Sequence, residues 1–172
     1  MGGMIPMVEP VRLIAAVLPL LWFVRQDLAR WKVRDSVLAT MLAMIPVACG
    51  LDLVSGGPWH QAFVGAGVFL AVSLAIREAA YRATGIDSFG AADVVLAGFA
   101  GAFLGWQAIL VWLFLGSVLG IAHWTLMTWL RRRKGRRPRR RVPAGPAFAA
   151  AQLLLMILQA FGLYSGFPFV VA

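Results

Sequence analysis

The chain has 172 residues, of which 61% are hydrophobic and 13% charged, with a formal net charge of +9. A soluble domain of this size carries roughly a quarter charged residues, so the composition excludes an ordinary soluble globule and fits helices that face lipid, while the length admits one domain. The single cysteine, Cys49, excludes an internal disulfide and a cysteine-based metal site, and His60 and His123 are too few to build a zinc site, so they read as a loop residue and a helix residue.

The first apolar segment covers about 11–24. It lacks the basic start and the small-residue cleavage site of a secretory signal, so it is read as a retained helix. Asp27 follows it, among Arg25, Arg30, Lys32 and Arg34. A second segment, about 37–54, begins just after Asp35, which is expected to cap it. The third, about 61–81, opens with Gly65 and Gly67 and closes with Arg77, Glu78 and Arg82, where an interfacial ion pair is expected. Asp87 reads as a solvated loop residue. The fourth segment, about 93–105, is short for a membrane crossing of about 20 residues and is expected inside the bundle. Gly105-Trp106 marks a tight turn into the fifth, about 107–130, and an exposed connection over 138–146 leads to the last, about 146–166. The expected fold is therefore all-α, a polytopic transmembrane bundle of about six helices. It forms a single domain over 1–172 with a basic loop over 131–145. Glycines at 98, 101 and 105, and at 116 and 120, are spaced for the close helix contacts by which helices associate in lipid.

Nine of the sixteen basic residues lie within 131–141. Such a run binds nucleic acid or anionic lipid in some proteins; after a long apolar stretch it is read instead as a cytoplasmic loop, with no nucleic-acid partner. If the chain alternates across the membrane, fifteen of the sixteen basic residues fall on one side and Arg12 alone on the other. The positive-inside rule then makes that side cytoplasmic and puts both termini outside. Trp22, Trp31, Trp59, Trp106, Trp124 and Trp129 fall near the expected span ends, where an aromatic belt would lie.

Seven acidic residues are present: Glu9, Asp27, Asp35, Asp52, Glu78, Asp87 and Asp93. Acids at membrane depth are costly and are functional candidates. Asp93 opens an apolar run after Phe89-Gly90-Ala91-Ala92, and Asp27 closes the first segment, so both are expected at the cytoplasmic face. Two carboxylates brought together there can share a proton, one acting as base toward water and the other donating to a substrate carbonyl. The alternative is that each aspartate caps a helix or pairs with a neighbouring arginine, as Arg25 and Arg30 would allow for Asp27.

Three stretches carry a family resemblance. The first, Asp27-Leu28-Ala29-Arg30-Trp31-Lys32-Val33-Arg34-Asp35, is similar to a D-x-x-x-x-x-I-P-[ND] loop. The second, Gly90-Ala91-Ala92-Asp93 with Leu96-Ala97-Gly98 and Leu104-Gly105-Trp106, is similar to a G-x-G-D-x-K-L-x-A block and the L-G-W turn after it. The third, Val142-Pro143-Ala144-Gly145-Pro146, is like a P-x-G-P motif before a last helix. In order, spacing and topology these resemble the short form of the type IV prepilin peptidases, intramembrane aspartyl proteases of the GxGD type. The resemblance implies an aspartic endopeptidase that removes leader peptides from pilin-like precursors at the cytoplasmic face of a bacterial inner membrane, in pilus or type II secretion-like assembly. It implies Asp27 and Asp93 as the catalytic pair and Gly90, Ala91 and Ala92 as the substrate-binding approach. With water as nucleophile, neither metal nor cofactor is implied; the oligomeric state is left open. Three positions depart from the pattern: Ala92 stands for a glycine, Val95 for a lysine and Arg34 for a proline. Two rival functions remain, a non-catalytic assembly scaffold and a small proton-coupled transporter subunit.

Overall fold

The computed structural model describes residues 5–30, 33–85, 90–135 and 144–163. Asp87, Trp31, Lys32, Val142, Pro143 and the basic run beyond residue 135 lie outside these segments. The described residues form six α-helices and no strand. They are α1 (Ile5–Arg30), α2 (Asp35–Val54), α3 (His60–Thr84), α4 (Ala91–Leu104), α5 (Ile109–Arg133) and α6 (Gly145–Ala160), with one 3-10 turn at Trp106–Ala108. The all-helical bundle expected from the apolar segments is thus observed. Three helices are long and apolar enough to cross a membrane: α2, α3 and the Trp106–Arg133 stretch that contains α5. The last helix ends earlier than its hydropathy predicts, at Ala160 rather than near 166.

α4 is the axis of the bundle. It packs against α2, α3 and α6, while α1 packs against α2 and α6, and α5 against α6. Every residue from Leu96 to Leu104 is buried, so the short apolar segment does lie inside. Two close approaches make this possible. A methyl group on Gly65 of α3 would collide with the Gly101 backbone, and one on Gly101 would collide with that of Gly65. Without side chains there, the two backbones touch, the close van der Waals packing that holds helices together where lipid removes the hydrophobic drive. Gly116 of α5 likewise receives the Phe148 ring of α6. Gly67, by contrast, faces open space, so only one of the two glycines opening α3 serves packing.

The seventh tryptophan, Trp112, sits at the centre of an aromatic cluster. Its ring lies 5.3 Å from that of Phe69 and 4.8 Å from that of Phe148, and its indole N–H donates to the Phe148 carbonyl at 3.2 Å. The buried N–H is thereby satisfied, as such a group requires. Of the six tryptophans expected near span ends, the five that are described are exposed. The outer face of α5 is apolar, with Leu110, Phe114, Val118 and Ile121 exposed along one stripe, the surface a lipid-facing helix presents.

At the start of α2 the expectation is corrected. Arg34, in extended conformation, occupies the N-cap, and no side chain caps the helix; Asp35 is instead its first residue. There its charge favours the positive end of the helix dipole. The ion pair expected near the end of α3 is present between Arg82 Nε and Glu78 Oε1 at 2.7 Å, in an exposed position.

Candidate active site

Three helix termini meet at one end of the bundle: the C-terminal turn of α1 with Asp27, the first turn of α4 with Asp93, and the first residue of α6, Gly145. α4 starts there because Gly90 is extended and its carbonyl accepts the N–H groups of Asp93 and Val94 at 3.0 and 3.2 Å. Asp93 Oδ2 in turn accepts the Gly90 N–H at 3.1 Å, so this carboxylate closes half of a capping box. Capping is therefore part of its role. It uses one oxygen and leaves Oδ1 without a hydrogen bond among the described residues.

Asp27 has a different support. A carboxylate in the last turn of a helix meets the negative end of that helix's dipole, which disfavours its charge. Here the start of α6 lies against it. A methyl group on Gly145 would come within 2.8 Å of Asp27 Oδ2 and 2.7 Å of the Phe23 ring. Glycine at 145 thus lets the positive end of α6 approach the acid, with a proline in the first turn whose missing N–H costs the helix nothing. Asp27 makes no ion pair with any described residue, so pairing with Arg25 does not account for it. The charges of Asp27 and Asp93 lie within electrostatic range of each other. Acids far apart in sequence thus lie at the same end of the bundle.

Gly90, Ala91 and Ala92 lie directly before Asp93. Ala91 is exposed and Gly90 partly so, whereas the Ala92 and Val95 side chains pack against the core. At the position where the resembled motif has a lysine, this chain therefore has an apolar contact to the bundle interior.

At the other end of the bundle is an arrangement the sequence reading missed. Arg12 of α1 donates to Asp52 Oδ1 of α2 at 2.6 Å and to the Phe103 carbonyl at the end of α4 at 3.1 Å. Gln159 of α6 donates to the next carbonyl, Leu104, at 3.2 Å. The last carbonyls of a helix lack intrahelical donors, and two side chains supply them here. The available signal was that Asp52 lies within the second apolar segment and that Arg12 is the one basic residue expected on its side. Acids so placed seek a partner.

The sequence profile of the type IV leader peptidase family matches residues 14–125, from α1 into α5 and across both Asp27 and Asp93. The chain belongs to this family. The kinship read from its three stretches is thereby borne out. No curated protein sequence and no solved structure matches the chain significantly. Membership of a family of membrane peptidases agrees with the three helices long enough to cross a bilayer.

Proposed function

We propose that the protein is an aspartic endopeptidase that removes leader peptides from type IV pilin-like precursors at the cytoplasmic face of a bacterial inner membrane. The observation that carries this reading is the convergence of Asp27 and Asp93 at one end of the bundle, in electrostatic range and without a basic partner among the described residues. Family membership supports a leader-peptidase-like activity in general. On this reading the chain is one domain over 1–172, with both termini outside and the basic loop over 131–145 in the cytoplasm.

Asp27 and Asp93 share one proton. The ionised member takes a proton from water as the water oxygen attacks the scissile carbonyl carbon, and the protonated member donates to the carbonyl oxygen. Collapse of the resulting diol breaks the C–N bond, and the leaving amine takes a proton. Neighbouring Gly90 and exposed Ala91 leave backbone free beside Asp93, the approach an extended peptide needs; Ala92 completes this segment with its methyl turned to the core.

A second reading, an assembly scaffold without catalysis, is favoured by the same replacements, Ala92 for glycine and Val95 for lysine. Reconstitution into liposomes with a panel of pilin-like leaders separates the two. The peptidase reading expects cleavage by the wild type and equal or greater cleavage by Ala92→Gly. Failure of both across the panel would transfer the protein to the scaffold reading.

A further inference from the structure

Three buried polar or charged side chains stand out in the core: Asp52, Ser73 and Gln152. Asp52 is paired with Arg12. The other two have no hydrogen-bond partner among the described residues: the Ser73 hydroxyl, and both the nitrogen and the oxygen of the Gln152 amide. Buried polar groups are nearly always satisfied by protein or by water, because an unmet donor or acceptor carries its whole desolvation cost. A fully buried glutamine with both ends unmet is therefore a place where another molecule belongs.

Its position follows from helical register. Gly145, Gln152 and Gln159 are spaced seven apart and lie nearly on one line of α6. Gly145 abuts Asp27 and Phe23 of α1, and Gln159 reaches Leu104 of α4. Gln152, midway between them, faces the seam between α1 and α4, about 10 Å along the helix from Gly145. Counting back by the same two turns puts it level with Ala16 and Leu20 of α1 and Ala97 of α4, all fully buried. The amide offers one donating and one accepting end. Ser73 lies on the opposite flank of α4. It continues the Gly65–Phe69 face of α3, level with Val94, the residue after Asp93. Both unmet groups thus flank the half of α4 that bears Asp93.

We propose that Gln152 holds an ordered water inside the α1–α4–α6 seam, behind the two aspartates, and that this water supplies the hydrolytic site. The supply role rests on the peptidase reading; the water site does not. A bundle packed in lipid has few routes for water, and a nearby bound molecule shortens the path to the scissile bond.

The test uses the full chain in detergent micelles and in liposomes. Magnetisation transfer from water protons to the Gln152 side-chain amide protons, assigned by their disappearance in Gln152→Leu, reads the site directly. Gln152→Leu should also lower kcat for leader cleavage by about tenfold, the scale of ordering a water anew, with KM unchanged and thermal stability equal or higher. Ser73→Ala should leave the transfer to Gln152 in place. Absence of transfer in the wild type overturns the water site. Transfer combined with an unchanged kcat overturns the supply role and leaves Gln152 a hydrated core residue. If the wild type cleaves no leader, the peptidase reading and the supply role fail together, and the transfer alone still decides whether water is held.

Discussion

At the Leu104 end of α4, Arg12 meets Asp52 and the Phe103 carbonyl while Gln159 meets Leu104, so charge and backbone are both answered by side chains from three other helices. At the Asp93 end, Asp27 and Asp93 lie near the α1, α4 and α6 termini with no arginine or lysine pairing either among the described residues. The first arrangement is what a structural ion pair looks like: desolvated, short and spent on holding helices together. On the peptidase reading, the second leaves its acids available for proton transfer. An aspartate already neutralised by a guanidinium is a poor base, and a lone acid cannot be base and acid at once. The same residue type thus stands in two settings in one small bundle, distinguished by partners rather than by depth.

The sharpest way to break this contrast is to remove the acid function at each end. Asp27→Asn and Asp93→Asn should each cut leader cleavage by about 10²–10⁴-fold, the worth of one positioned acid or base, with the helical content by circular dichroism unchanged. At the other end the loss should appear as stability. Asp52→Asn leaves Arg12 without its carboxylate in a site where the side chains are 23% and 10% exposed. Breaking such a pair is expected to cost about 3–5 kcal/mol, read as a fall in the thermal midpoint in detergent. The double replacement Arg12→Met with Asp52→Leu should recover much of that loss, because apolar side chains of similar size carry no desolvation cost.

Gly145 sharpens the comparison at the Asp27 end. Gly145→Ala should destabilise by about 1–3 kcal/mol, the usual cost of overpacking, and reduce cleavage further by displacing Asp27. Gly120→Ala is its control, since a methyl there would lie an ordinary 3.8 Å from the Ala147 side chain; it should change neither readout. The smallest effect belongs to Glu78→Gln. That residue's pair with Arg82 is exposed, and exposed pairs contribute little to stability, so the midpoint should not move measurably.

Much of the fold was legible because in lipid a long apolar run bounded by charges has few options. Each of the six helices overlaps the apolar segment expected for it, and Gly105 makes the turn after α4 with a φ of +80°, a conformation that favours glycine. What hydropathy does not encode is which side of each helix faces the protein. Leu20 is fully buried and Leu110 is 75% exposed, yet both suit an apolar environment, so neither composition nor periodicity separates core from lipid face. The same blindness hid the pairing of Arg12 with Asp52 and the use of Gly65 rather than Gly67, which depend on how helices distant in sequence are rotated. Asp35 was misplaced by a single residue for a local reason: the chain is already extended at Arg34, so the cap fell one position earlier. Asp27 and Asp93 were visible as two acids at the ends of apolar runs. The contact of Gly145 with Asp27 and the unmet amide of Gln152 were not, since each exists only once α6 is docked.

The central claim is that Asp27 and Asp93 act as one unit, and a double-mutant cycle on kcat/KM for leader cleavage in liposomes measures it. The account predicts that the double Asp→Asn variant is little worse than either single variant, because residues sharing one task are strongly non-additive. Losses that multiply, or a single variant that keeps wild-type activity, would contradict it.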